Sequence, residues 1–248
     1  MQRFRHDAVE IAYLDEGEGE PIVLIHGFAS NAAVNWVQPG WLAALEGRRV
    51  IALDNRGHGA STKLYDPAAY HTALMASDVA ALLDHLALTR ADLMGYSMGA
   101  RIAAFLALRN PQRVRSAVLG GLGSHLVDGI GVPEGVAEAL EAPSAAAVSD
   151  PRTRLFRLFA EQTKSDLRAL AACLRGSRQR LTREEIASIR TPVLVALGTQ
   201  DAIGGSAVEL ANLLPAGEAL EIPGRDHMTA VGDKVFKQGV VRFLERQR

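Results

Sequence analysis

Residues 91–101, Ala91-Asp-Leu-Met-Gly-Tyr-Ser-Met-Gly-Ala-Arg101, govern the reading of the whole chain. The run from Ala91 to Tyr96 has the length and apolar character of a buried strand. From Met98 to Arg109 the spacing predicts a helix, which Pro111 stops. Between them, Gly95-Tyr96-Ser97-Met98-Gly99 compresses a strand-to-helix turn around one serine. Such a turn strains the backbone at the serine and exposes its hydroxyl, so the flanking residues must be small. Gly95 and Gly99 meet that need. A GxSxG string also occurs in purely structural turns. Its position between a strand and a helix makes this one a nucleophile elbow.

Upstream, Pro21-Ile-Val-Leu-Ile-His26 and Arg49-Val-Ile-Ala-Leu-Asp54 are continuous apolar runs, as in strands buried on both faces. Phe4 to Leu14 holds one or two further short strands. A helix is expected through Trp36 to Leu45, and Met75, Val79, Leu82, Leu83 and Leu86 mark one face of another. Downstream, Val114 to Leu119, Pro192 to Leu197 and Ala219 to Ile222 read as strands. Helices are expected near Val208 to Leu214 and through Phe236, Val240, Phe243 and Leu244. This alternation predicts an α/β fold with a mostly parallel, doubly wound sheet. It breaks between Leu122 and Arg190, where Leu155, Leu158, Phe159 and Leu167, Leu170, Leu174 have helical spacing. Glu141 to Pro151, rich in Ala, Pro and Ser, reads as a connector between helices. The core is therefore expected at 1–121 and 191–248, with 122–190 as a helical insertion at one end of the sheet.

At 248 residues the chain suits one α/β domain with a small insertion. Hydrophobic residues at 48% and charged residues at 22% are globular proportions and argue against disorder. A net charge of −1 supplies no global field for nucleic acid or an anionic membrane, so neither is expected as a partner. The one cysteine, Cys173, excludes an internal disulfide or a CxxC motif, and the cytoplasm is the expected compartment. No apolar run approaches the length of a membrane span, and no apolar signal core follows the charged first residues.

A serine hydroxyl needs a base, and the base needs an orienting acid. In a doubly wound sheet the reacting groups gather beyond the carboxyl ends of the strands. Of the seven histidines, His227 lies in Gly224-Arg-Asp-His-Met228, just after the last strand. Asp201 closes Gly198-Thr-Gln-Asp201, just past the penultimate strand. Ser97, Asp201 and His227 thus follow the chain order of this triad type. Asp128, three residues after His125, is the alternative acid, and Asp226 adjoins His227 but reads as pointing elsewhere. His26 reads as a brace for its loop, and Asp54 and His58 as holding a Gly-rich turn rather than a metal. Gly121-Leu-Gly-Ser-His-Leu126 lacks the last glycine of a dinucleotide loop. No cofactor or metal is expected. Residues 150–190 carry ten Lys/Arg against five Asp/Glu. That surplus reads first as a solvated helix face, and second as a cap that attracts acidic substrates.

On these motifs the chain resembles the α/β-hydrolase superfamily, in its cap-bearing serine-hydrolase branch. His26-Gly27-Phe28 looks like the oxyanion loop of that superfamily, and Asp54-Asn-Arg-Gly-His-Gly-Ala-Ser61 like its turn after the next strand. Gly95 to Gly99, Gly198 to Asp201 and Gly224 to Met228 complete a set spanning nearly the whole chain, and the inserted helices match the cap. The resemblance implies that Ser97 attacks a carbonyl, His227 carries the proton and Asp201 holds the imidazole. It also implies that the backbone N–H groups of Phe28 and Met98 bind the oxyanion. The loop reads HGF rather than HGGG, which lends no support to bulky tertiary-alcohol esters. Phe156 and Phe159 are candidates for an acyl pocket, although a core stripe accounts for them equally well. The implied activity is cofactor-free hydrolysis of a small carboxylic ester. C–C bond cleavage or lactone opening on the same triad is the alternative, and a non-catalytic receptor stands behind both. Dehalogenase and epoxide-hydrolase chemistry would need an aspartate where this chain has Ser97.

Overall fold

A strand that ends in four consecutive apolar residues has to be covered on both faces there, and β3 (Glu20–Ile25), with Ile22 to Ile25 all buried, is. In the computed structural model, which describes residues 1–129 and 131–247, Ile22 and Leu24 enter one hydrophobic cluster. Val23 and Ile25 point the other way into a larger one. The same alternation divides β4 (Arg48–Leu53), β5 (Ala91–Tyr96) and β7 (Val193–Gly198) between the two clusters. With β1 (Gln2–His6), β2 (Val9–Glu16), β6 (Val114–Gly120) and β8 (Gly217–Ile222) they form one eight-stranded sheet. Its order is β1-β2-β4-β3-β5-β6-β7-β8. The β1/β2 and β2/β4 pairs are antiparallel, and the remaining pairs are parallel. From β3 the chain winds to β4 on one side and later to β5 on the other. That reversal opens a crevice beyond the carboxyl ends of β3 and β5.

The helix expected from Trp36 to Leu45 is two pieces, a π-helical turn at Ala33–Val37 and the short α1 (Trp41–Ala44). Pro39 and Gly40 separate them, because Gly40 adopts a left-handed φ of 81° that no continuous helix accommodates. Trp36 and Trp41 nevertheless share the smaller cluster, edge to face at 6.0 Å. The larger cluster is covered by α2 (Thr72–His85) and α3 (Met98–Arg109), which bury Val79, Leu82, Ile102 and Leu106.

Between β6 and β7 the regular elements among the described residues are helices: α4 (His125–Asp128), α5 (Val136–Glu141), α6 (Pro151–Gln162), α7 (Leu167–Gly176) and α8 (Arg183–Ser188). Local chemistry starts each of the last three. Asp150 and Asp166 cap α6 and α7, and Thr182 with Glu185 forms a capping box on α8. Much of the basic surplus of this segment is spent on its own scaffolding. Buried Arg157 donates to the carbonyls of Ala139, Leu140 and Ala142 at the end of α5, and Arg175 pairs with Glu141. The chain finishes with α9 (Ala207–Leu213) and α10 (Lys234–Glu245), whose Phe236, Val240, Phe243 and Leu244 close the smaller cluster. Among the described residues no helix is long and apolar enough to cross a membrane. Ile130 and Arg248, which fall in the expected insertion and core ranges, lie outside the described residues.

Candidate active site

Ser97 sits at the junction of β5 and α3 with φ 55° and ψ −111°, a left-handed backbone rare for a residue with a side chain. Its neighbours explain how the turn closes. A Cβ on Gly99 would lie 1.9 Å from the Ile25 carbonyl oxygen, and one on Gly95 would lie 2.1 Å from the Gly99 carbonyl oxygen. Both positions face backbone, which has nowhere to go. The elbow is thus pressed against the end of β3, and Gly27 in turn packs on the Ser97 side chain.

His227 Nε2 lies 3.0 Å from Ser97 Oγ, and His227 Nδ1 donates to Asp201 Oδ2 at 2.8 Å. The second carboxylate oxygen, Oδ1, accepts the Ile203 and Gly204 N–H groups at 2.8 and 3.0 Å. Those two bonds fix the carboxylate plane, which fixes the imidazole in turn. Asp201's side chain is fully buried and His227 is nearly so. Asp128 is exposed and is not the residue that meets His227, so the structure brings Asp201 rather than the alternative acid to the imidazole. Asp226 turns away, accepting the Met228 and Thr229 N–H groups and the Thr229 hydroxyl.

The HGF loop is braced from below. His26 Nδ1 donates to the Gly27 carbonyl at 2.7 Å, and its Nε2 accepts the Asn55 N–H at 2.9 Å. Burial holds this ring neutral, pulling its pKa down to about 4 despite the Gly27 contact. Burial, helped by the neighbouring His26, takes His58 to about 3. Asp54 accepts the Ala32 and Ala60 N–H groups and so ties the loop after β3 to the turn after β4. Gly27 N–H reaches Asn35 Oδ1 at 3.1 Å. Among the described residues neither the Phe28 nor the Met98 amide N–H has a protein acceptor.

A cavity of about 60 Å³ opens over Ser97. Phe28, Met98, Leu122 and Ile203 supply apolar wall from the sheet side. Val132 and Leu174 face it from the inserted helices, together with Ser177 and Arg178. Phe156 and Phe159, expected at an acyl pocket, are not in this lining. Both are part-buried residues of α6 packed against the larger core cluster. The reason is the rotation of α6, which turns Thr153, Arg157 and Ala160 to its most buried face.

Two groups at the site had no role in the sequence-based reading. Tyr96 donates its hydroxyl to the His227 carbonyl at 2.6 Å and lies 5.5 Å from the imidazole ring, so it helps position that loop. It occupies a variable place in GxSxG and carries no sequence signal. Arg101 lines the cavity one helical turn beyond Ser97, and the i,i+4 spacing on an expected helix was a signal that could have found it.

The sequence model of the family described as "alpha/beta hydrolase fold" matches residues 20–126. The chain is 34% identical over 245 residues to the dihydrolipoyllysine-residue acetyltransferase component of the acetoin cleaving system of Pseudomonas putida. That match takes in 92% of this chain but only 64% of the relative, so the chain spans less than two thirds of that protein. It is 31% identical to a Mycobacterium tuberculosis protein named "Putative non-heme bromoperoxidase BpoC", across 89% of this chain and 91% of that one. Among solved structures, Est816, described as an N-acyl homoserine lactone degrading enzyme, superposes with a TM-score of 0.79 at 26% identity. The superposition covers 97% of this chain and 99% of that one. Sheet order, elbow and near full-length likeness agree: the chain belongs to the α/β-hydrolase superfamily.

Proposed function

We propose that Ser97, His227 and Asp201 work as nucleophile, base and orienting acid, and that the protein hydrolyses small carboxylic esters. The observation that carries this reading is the unbroken hydrogen-bonded chain from Ser97 Oγ through the imidazole to Asp201. Ser97 Oγ adds to the ester carbonyl as its proton passes to His227 Nε2. The Phe28 and Met98 N–H groups receive the oxyanion, each contributing roughly 10²–10³ in rate. Collapse expels the alcohol, which takes the proton from His227 and leaves an acyl group on Ser97. Water, deprotonated by His227, adds to the acyl carbonyl; collapse then breaks the bond to Ser97 Oγ, which takes the proton back from His227 as the carboxylic acid leaves. Asp201 keeps the imidazole in one tautomer and balances its charge once protonated. Residues 122–190 act as a cap whose Val132, Leu174 and Ser177 roof the nucleophile.

Lactone opening is the second reading, favoured by the likeness to the N-acyl homoserine lactone degrading enzyme across nearly the full length of both chains. A lactone is a cyclic ester, and the same attack opens it. A fluorophosphonate probe with peptide mapping tests the nucleophile, and label on Ser97 is the expected result. Label on another serine, or none, overturns the reading. Aryl esters of two to about six acyl carbons are expected to give higher kcat/KM than esters of twelve, because apolar gain per CH₂ stops at the wall of a roofed cavity. A preference for long-chain emulsions would replace the roofed cavity with an open lipid site.

A further inference from the structure

Buried cations in this molecule come with carboxylates. Arg48 pairs with Asp92 at 2.6 Å, Arg56 with Asp78 at 2.7 Å and Arg157 with Glu161 at 2.7 Å. The pattern is what burial demands, since an unpaired interior charge loses its hydration without compensation. Half-buried Arg101 breaks it, and Arg178 stands exposed at the rim of the same cavity. Both line the cavity over Ser97, and among the described residues no carboxylate lies within 4.0 Å of either guanidinium. Arg101 is half-buried, and its guanidinium reaches the Gln179 carbonyl. Arg178 reaches the Val132 carbonyl at 2.8 Å. A guanidinium has five N–H donors, so one carbonyl apiece leaves most of them open to a ligand or to water. The two are also close enough to repel. Burial, and then the field of Arg178, pulls the Arg101 pKa down to about 10.

The placement relative to the nucleophile is equally specific. Arg101 N–H donates to the Ser97 carbonyl at 3.2 Å, so the two residues lie one turn apart on one face, about 6 Å along the axis. His227 is not in the cavity lining. Phe28 and Met98, whose N–H groups take the oxyanion in the proposed reaction, do line it, and the acyl part of the substrate is assigned to this cavity.

We propose that Arg101 and Arg178 form a carboxylate subsite, and that the substrate is an ester whose acyl chain carries a second, ionised carboxylate a few bonds from the scissile carbonyl. The assignment rests on the ester-hydrolase reading for its orientation, and on the two unpaired guanidiniums for its chemistry. A planar carboxylate matches the arginine fork, satisfies several idle donors at once and relieves the repulsion between the two cations.

The test compares kcat/KM for the phenyl monoester of glutaric acid with that for phenyl hexanoate, a neutral ester of similar length. The charged ester is expected to lead by at least about tenfold at low salt, and raising the salt should narrow the lead. In Arg101→Gln and in Arg178→Gln the charged-to-neutral ratio should fall about ten- to a hundredfold. Arg101 also ties α3 to the Gln179 backbone. Arg178→Gln, whose parent side chain sits at the surface rim, keeps the test open where Arg101→Gln loses its fold. A purely structural role would lower both rates together and leave the ratio unmoved. A wild-type ratio at or below one, or a ratio unchanged in both variants, overturns the subsite. A second arm needs no turnover: glutarate binding to Ser97→Ala by calorimetry, with and without Arg178→Gln. Arginine-dependent glutarate binding without fluorophosphonate labelling of Ser97 would sink the hydrolase reading and keep the subsite. Rapid hydrolysis of neutral esters with no preference for charge would do the reverse.

Discussion

The elbow at Gly95–Gly99 and the helices of 122–190 face each other across one cavity, but different forces hold them. The elbow is fixed by backbone against backbone: Gly99 has no space for a Cβ, and β5 is buried at every position. The inserted helices bury Leu140, Leu170 and Leu174 in the larger cluster, but their joints rest on side chains that reach individual carbonyls and carboxylates, and they leave Leu155 and Leu158 exposed at 67% and 45%. Close packing of main chain tolerates almost no change, whereas a scaffold of long side chains tolerates change wherever its key donors are spared. In the proposed reaction, chemistry that must be accurate to a fraction of an ångström sits on the first kind of support. Shape that selects a substrate sits on the second.

The sharpest way to break this contrast is at the nucleophile. Ser97→Ala should lower kcat by about 10⁶ while leaving the thermal midpoint within a few degrees, because members of a triad act as a unit. Steady-state kinetics and a circular dichroism melt check both halves, and substantial residual turnover would move the nucleophile elsewhere. Asp201→Asn should lower kcat by about 10⁴ through the wrong imidazole tautomer. Asp128→Asn, on the exposed side of the insertion, should change kcat less than about twofold.

Two glycines test the packing itself. Gly99→Ala places a Cβ 1.9 Å from a backbone oxygen, and should cost more than about 4 kcal/mol in urea titrations or abolish folding. Gly131, in the insertion, has nothing within 4 Å of the same added atom, and Gly131→Ala should stay within about 0.5 kcal/mol of wild type. Equal effects would erase the proposed difference between the regions. Within α6, Arg157→Met orphans three carbonyls and should cost about 3 kcal/mol. Leu155→Gln on the same helix should cost less than about 0.5 kcal/mol, since its side chain is exposed.

The most gradual effect is a slope with pH. His26 and His58 are held neutral in the fold, near 4 and near 3, against about 6.5 in an unfolded chain. Below pH 6.5 the unfolded chain binds protons that the folded one refuses. Stability is therefore fully present above that pH and falls as the pH drops toward the folded values, by up to about 1.4 kcal/mol per pH unit for each histidine. Denaturant titrations at pH 7, 6 and 5 read the slope. A flat line would mean that these rings are not buried neutral.

Sheet and elbow were legible because their constraints are local. An apolar run of six residues and a serine between two glycines leave few alternatives, and the strand bounds agree to within about two residues. Trp36 to Leu45 was misread as one helix because apolar spacing outvoted Pro39-Gly40, whose left-handed turn splits the segment. Phe156 and Phe159 stayed open between an acyl pocket and a core stripe for a related reason. Periodicity shows that a helix has an apolar face and is silent on which neighbour that face meets. Arg101 was visible in the spacing, but its importance depends on having no carboxylate beside it, and only the packed structure supplies that fact.

By itself, the order of residues determined the alternation of strands and helices, the strained serine turn and the chain order of Ser97, Asp201 and His227. These follow from hydrogen bonding and steric limits acting over a few neighbouring residues. Tertiary structure alone decided that Asp201 rather than Asp128 meets His227, that Tyr96 anchors the histidine loop, and that Arg157 is spent on scaffolding while Arg101 and Arg178 face the cavity. Each of those outcomes depends on which side chains from distant segments arrive within about 3 Å of one another. Hydrogen bonds and ion pairs are decided at that range, and no local pattern encodes it.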